Sequence, residues 1–98
     1  MVETEHDPGN QVRLLAQEFP CLWNAPHIRP WNAVALDHWA TEGRLSHGER
    51  CSVQLLLSVW DPNFAWKSGA FNIMEALRVW DVAHRQAFLG WAADPWWA

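Results

Sequence analysis

Charge is scarce in this chain, and what there is does not gather. Asp, Glu, Lys and Arg make up 18% of the 98 residues, and the net charge is −4. Glu3, Glu5 and Asp7 place much of the negative charge in the first residues. Further on, Arg50, Lys67, Arg78 and Arg85 balance Asp61, Glu75, Asp81 and Asp94. Without a basic patch, the phosphate-neutralising attraction behind nucleic-acid binding has no source, so no nucleic-acid partner is expected. No apolar run approaches the ~20 residues that a membrane span needs, and no basic amphipathic face is present to lie on lipid. The acidic opening Met1-Val2-Glu3-Thr4-Glu5-His6-Asp7 is the opposite of a signal peptide's start, so a cytoplasmic protein with no membrane partner is expected. Two cysteines, Cys21 and Cys51, are too few for a disulfide framework and read as reduced, buried thiols. There is also no Gly-rich phosphate loop, no clustered acidic metal loop and no recognisable pair of catalytic carboxylates. These absences weigh against an enzyme, and no cofactor is expected.

What the chain has in abundance is tryptophan, nine in all. Each indole brings a large apolar area and one N–H that needs an acceptor. Val59-Trp60-Asp61 returns as Val79-Trp80-Asp81. The repeat suggests that each tryptophan closes a helix end and each aspartate starts the next segment by accepting a backbone N–H. Trp23, Trp39, Trp60 and Trp80 are the core candidates.

Residues 1–9, ending in Asp7-Pro8-Gly9, read as a disordered acidic tail, and 10–98 as a single helical domain. Asn10 can cap a helix to about Phe19, with Val12, Leu15 and Phe19 on one face. Pro20, Pro26 and Pro30 make the next stretch irregular, and Pro30 suits the first turn of a helix that Gly43 stops. Ser46-His47-Gly48-Glu49 fits a capping box opening a helix from Glu49 to Trp60. Over about 51–60 the alternation of Cys51, Val53, Leu55, Leu57 and Val59 also fits a strand, which would make the fold α+β; length and the cap favour the helix. Asn72 caps a further helix, and Asp81 re-caps the chain for the last one. Phe64 and Trp66 are expected to tuck beneath the loop between. The expected fold is all-α: four to five short helices around a tryptophan-rich core.

Adjacent indoles at Trp96 and Trp97 are costly to expose, so they either plug a groove in their own domain or dock on a partner. Trp96, Trp97 and Trp66 are the partner-contact candidates. The reading that follows is a non-catalytic protein–protein interaction or accessory module, with a homodimer as one form of it. The alternative is a small zinc-binding protein or enzyme using Cys21, His27, His47 and Cys51, since thiolate and imidazole suit a zinc tetrahedron. His47 and Cys51, four residues apart on a helix, would also share a face as a base and nucleophile. Asp81 and His84, three apart, could form a carboxylate–imidazole pair, whereas adjacent Asp37 and His38 point apart.

Overall fold

The computed structural model describes residues 7–98, in which five α-helices are joined by turns. α1 spans Pro8–Ala16, α2 Ala33–Glu42, α3 His47–Trp60, α4 Ile73–Val79 and α5 Val82–Ala93; a 3-10 turn at Pro20–Leu22 follows α1. Of the expected acidic tail, residues 1–6 lie outside the described residues.

Each α-helix is opened by a side-chain oxygen that accepts a backbone N–H of the first turn, satisfying a donor the helix itself cannot. Asp7 accepts from Gly9, Asn32 from Ala35, Ser46 from Glu49, Asn72 from Glu75 and Asp81 from His84. Ser46 and Glu49 complete the capping box, with Ser46 N–H donating back to Glu49 Oε1 at 2.8 Å. Two starts differ from expectation. α1 is capped by Asp7 rather than Asn10, because Pro8 already has the φ of a first helical residue and needs no N–H there. α2 begins after Pro30, since Asn32 N–H first closes a turn on the His27 carbonyl at 3.0 Å.

α3 is the axis of the molecule. Cys51, Ser52, Val53, Leu55, Leu56, Leu57 and Val59 are all buried, so the helix is covered around most of its circumference. α1, α2, α4 and the 3-10 turn pack chiefly on α3 rather than on one another. The alternative of a strand over 51–60 is overturned: these residues belong to one 14-residue helix, and no strand occurs among the described residues. A helix buried around most of its circumference has apolar residues at both helical and alternating positions, so the period-2 pattern is a by-product of that burial.

Val12, Leu15 and Phe19 close on α3 from one side and Leu36 and Ala40 of α2 from another, with Ala76, Trp80 and Phe88 completing the core. The repeated phrase divides in role. Trp80 is 3% exposed, with Phe19 and Phe88 at ring-centroid distances of 5.6 and 5.9 Å. Trp60 is half-exposed and tilts on Trp31 at 5.6 Å. Both aspartates do accept a backbone N–H: Asp61 that of Asn63 in a proline turn, Asp81 that of His84 at the start of α5. Trp39 is half-buried against the core. Trp23, expected inside, is instead 59% exposed. The 3-10 turn sends Leu22 inward and its neighbour outward, and the Trp23 indole N–H bonds the Gln17 carbonyl at 2.8 Å.

The connection between α3 and α4 is tied down by a buried carboxylate. Asp37 of α2 accepts the backbone N–H groups of Lys67 at 2.9 Å and Ser68 at 2.8 Å. Gln54 of α3 donates to the Ser68 carbonyl at 2.7 Å, and Gly69, at φ 101°, makes a reversal open to glycine alone without strain. Desolvation pushes the Asp37 carboxyl up, but the N–H donors of Ser68 and Lys67 outweigh it and hold the group below its ordinary value. Asp37 and His38 do point apart, His38 facing solvent and pairing with Glu42 at 3.2 Å. Phe64 stays exposed rather than tucked in, its ring tilted against a half-buried Trp66 at 4.4 Å.

Candidate partner-binding site

α5 is the least covered element relative to its composition. It reads VAHRQAFLGWAA, with Arg85 its one formal charge, yet only His84 and Phe88 are buried. Val82 is 60% and Leu89 55% exposed. Beside it, α5 and α1 enclose a groove of about 420 Å3. Leu14 and Leu15 of α1 form one wall, Ala87, Gly90 and Trp91 of α5 the other, and Trp96 closes one end. Glu18 is the one charged side chain lining it.

The tail after α5 folds back onto the domain. Trp91 donates its indole N–H to the Trp96 carbonyl at 2.9 Å, and Ala98 N–H reaches the Val59 carbonyl of α3 at 3.0 Å. Trp96 is half-buried against the core. Trp97 sets its ring edge-on to Trp91 at 5.4 Å and remains 53% exposed. The adjacent indoles are thus split, one walling the groove and one presented outward. Trp66 lies elsewhere, on the α3–α4 connection, with its N–H donated to the Asp61 carbonyl at 3.0 Å.

Gly90 is the signal that sequence reading passes over. A Cβ built on it would meet nothing within 4 Å, although it sits inside a helix. Glycine in a helix interior costs roughly 0.5–1 kcal/mol against alanine. Gly90→Ala is therefore expected to raise stability by about that amount, and Tm by ~3–6 °C, in thermal unfolding. A fall in Tm would mean that the space over Gly90 is filled.

A second cleft, of about 390 Å3, lies where the first turns of α3 and α5 meet Cys21. Here Asp81 Oδ1 meets His84 Nδ1 at 2.6 Å, as the spacing suggested. His84 Nε2 accepts the backbone N–H of Cys21 at 3.2 Å, which places the ring proton on Nδ1 and leaves Nε2 occupied. The Cys21 thiol donates instead to Ser52 Oγ at 3.5 Å. Burial pushes that thiol above its ordinary range, and the hydrogen bond from His84 holds Asp81 below its own. The geometry resembles a catalytic triad in composition only, because the His84 nitrogen accepts the Cys21 backbone N–H while the thiol donates to Ser52.

The other paired residues are dispersed. Cys51 is buried in α3 with its thiol pushed up by desolvation, while His47 is turned outward to Glu75 at 2.5 Å. His27 stands exposed in a turn at φ 67°. Among the described residues, no group of three or more His, Cys, Asp or Glu side chains is placed to hold a metal ion. Likewise, none of the described helices is long and apolar enough to cross a membrane.

The chain matches no family model, no curated protein and no solved structure.

Proposed function

We propose that the protein works by binding another protein, without chemistry of its own, and that the α1–α5 groove, lined in part by Trp96, and the neighbouring exposed Trp97 are the contact surface. The observation that carries this reading is α5: an apolar helix with a single formal charge, only two of whose residues are buried. Such a helix costs free energy in water and gains it when a partner covers it. The groove beside it supplies concave shape, and Trp97 supplies a rigid aromatic of the kind that dominates interface energetics. Trp66, with exposed Phe64 tilted against it, offers a secondary aromatic edge at a different place on the surface.

The test is affinity capture from the lysate of the native host, using the full chain beside a Trp96→Ala, Trp97→Ala double variant shown by circular dichroism to be folded. A stoichiometric partner should remain on the parent chain and weaken on the variant by about thirtyfold or more, the size of a ~2 kcal/mol hot spot. Equal retention would move the contact surface away from the tail. Sedimentation equilibrium of the purified chain reports homodimerisation directly.

A further inference from the structure

Resting on that reading, we infer that the occupant of the groove is an amphipathic helix of a partner protein, bringing a lysine or arginine to Glu18 and a large apolar side chain to the space over Gly90. Shape comes first. The groove is walled by two helices, of 9 and 12 residues. The lining runs from Gln11 to Glu18 on one side and from Gln86 to Trp91 on the other; at 1.5 Å per residue that is roughly 10 and 8 Å, room for about two turns of a docked helix. Leu14 and Leu15 on one side and Ala87 and Trp91 on the other make most of the lining apolar, as helix-in-groove recognition requires.

Gly90 sets the depth. With no side chain and nothing above it, it lets a partner's side chain reach the α5 backbone, and Ala87 on the same face keeps the approach low.

Charge sets the kind of helix. The cations of the two walls do not line the groove: Arg13 bonds Asn10, and Arg85 donates to the Trp80 carbonyl at 3.0 Å. Glu18 is left as the single lining charge, and it is negative. The remaining polar lining residues, Gln11 and Gln86, are neutral. A second copy seated groove to groove would bring another Glu18 and no lining cation, which is like against like. A partner helix with a basic flank meets that charge with the opposite sign.

The experiment uses the full chain and two peptides of ~16 residues, long enough to form a helix once bound. Both carry leucine at i, i+3, i+4 and i+7; one fills the other positions with lysine and the other with glutamate. Binding is read by backbone amide chemical shifts and by the fluorescence of the groove tryptophans. The leucine–lysine peptide is expected to bind, with shifts on α1 and α5, and the leucine–glutamate peptide to bind at least tenfold more weakly. Gly90→Leu, which fills open space and keeps the fold, should weaken the leucine–lysine peptide by tenfold or more. Glu18→Gln should weaken it by about twofold to fivefold, as for one exposed ion pair, and reduce the salt dependence.

Equal or tighter binding of the leucine–glutamate peptide, still blocked by Gly90→Leu, would overturn the basic partner while leaving the groove as a binding site. Self-association of the parent chain that Gly90→Leu abolishes would replace the partner helix with a second copy. Absence of binding by either peptide would overturn the helix as occupant, leaving the capture experiment above to decide the wider reading. Binding that Gly90→Leu does not touch would overturn the groove itself.

Discussion

Replacing Trp80 by alanine should cost about 4 kcal/mol of stability, a large share of the roughly 5–15 kcal/mol that holds a small domain together. Trp80 is where the aromatic half of the core converges. Its ring meets Phe19, Phe71 and Phe88 at centroid distances of 5.6, 5.8 and 5.9 Å. Its indole N–H is shared between Ser52 Oγ at 3.0 Å and the Gly48 carbonyl at 3.1 Å, both on α3. The side chain therefore fastens the end of α4 and the start of α5 to the first turns of the axial helix. Alanine removes the ring contacts and leaves a cavity. Trp80→Phe restores most of the contacts and loses the donor, so its cost should be smaller, about 1–2 kcal/mol. Urea unfolding of the two variants separates packing from hydrogen bonding. A cost below about 1 kcal/mol for Trp80→Ala would mean that the core collapses around the gap and that Trp80 is no wedge. Trp97, half outside, provides the contrast: its replacement by alanine should leave stability nearly unchanged.

The second large effect belongs to Asp37. Asp37→Ala strands the N–H groups of Lys67 and Ser68 beneath the α3–α4 connection. Hydrogen bonds to a charged acceptor contribute about 1.5–3 kcal/mol each, and the relief of an unfavourable buried charge offsets part of their loss, so a net cost of about 3 kcal/mol is expected. Asp37→Asn keeps one acceptor and sets an amide NH2 against the other N–H, so it should still cost about 2 kcal/mol. The parent chain should also show a matching pH dependence. The folded carboxyl titrates below its unfolded value. Its contribution is thus fully present above the unfolded pKa of ~4 and is lost as pH falls through the lower folded one. Asp81, also lowered, acts in the same direction. Urea midpoints measured from neutral pH down to about 3 should fall steeply for the parent chain and less so for Asp37→Asn. An equal slope in both would remove Asp37 as a source of acid sensitivity.

Much of the fold was legible because caps are local. Ser46 with Glu49, Asn72 and Asp81 each announce a helix within a few residues of themselves, and the structure opens α3, α4 and α5 there. What was not legible is what depends on distant partners. At 51–60 length and the cap pointed to the helix that is there; what the segment's own residues do not record is how many sides its neighbours cover, which is why the alternation also fitted a strand. Adjacency placed Asp37 and His38 on different sides of their helix, as the structure has them, but gave Asp37 no partner; its partners lie 30 and 31 residues away on a loop. Trp23 satisfied every compositional criterion for a core residue; the turn beneath it, not its hydrophobicity, sends it outward. The groove is a space between the first helix and the last, and no motif encodes a space. Its one local trace is a helix-interior glycine with nothing above it.

The dependence of the other elements on α3 has a consequence for how the chain comes into being. α1, the 3-10 turn and α2 leave the ribosome before the segment they pack on exists. At synthesis rates of roughly 5–20 residues per second, they wait about a second or more for it. Helices of 9 and 10 residues are too short to persist in water by themselves. The nascent first half therefore stays an open chain with Phe19 and Leu36 uncovered, until Val53 to Val59 emerge and give both helices their common surface.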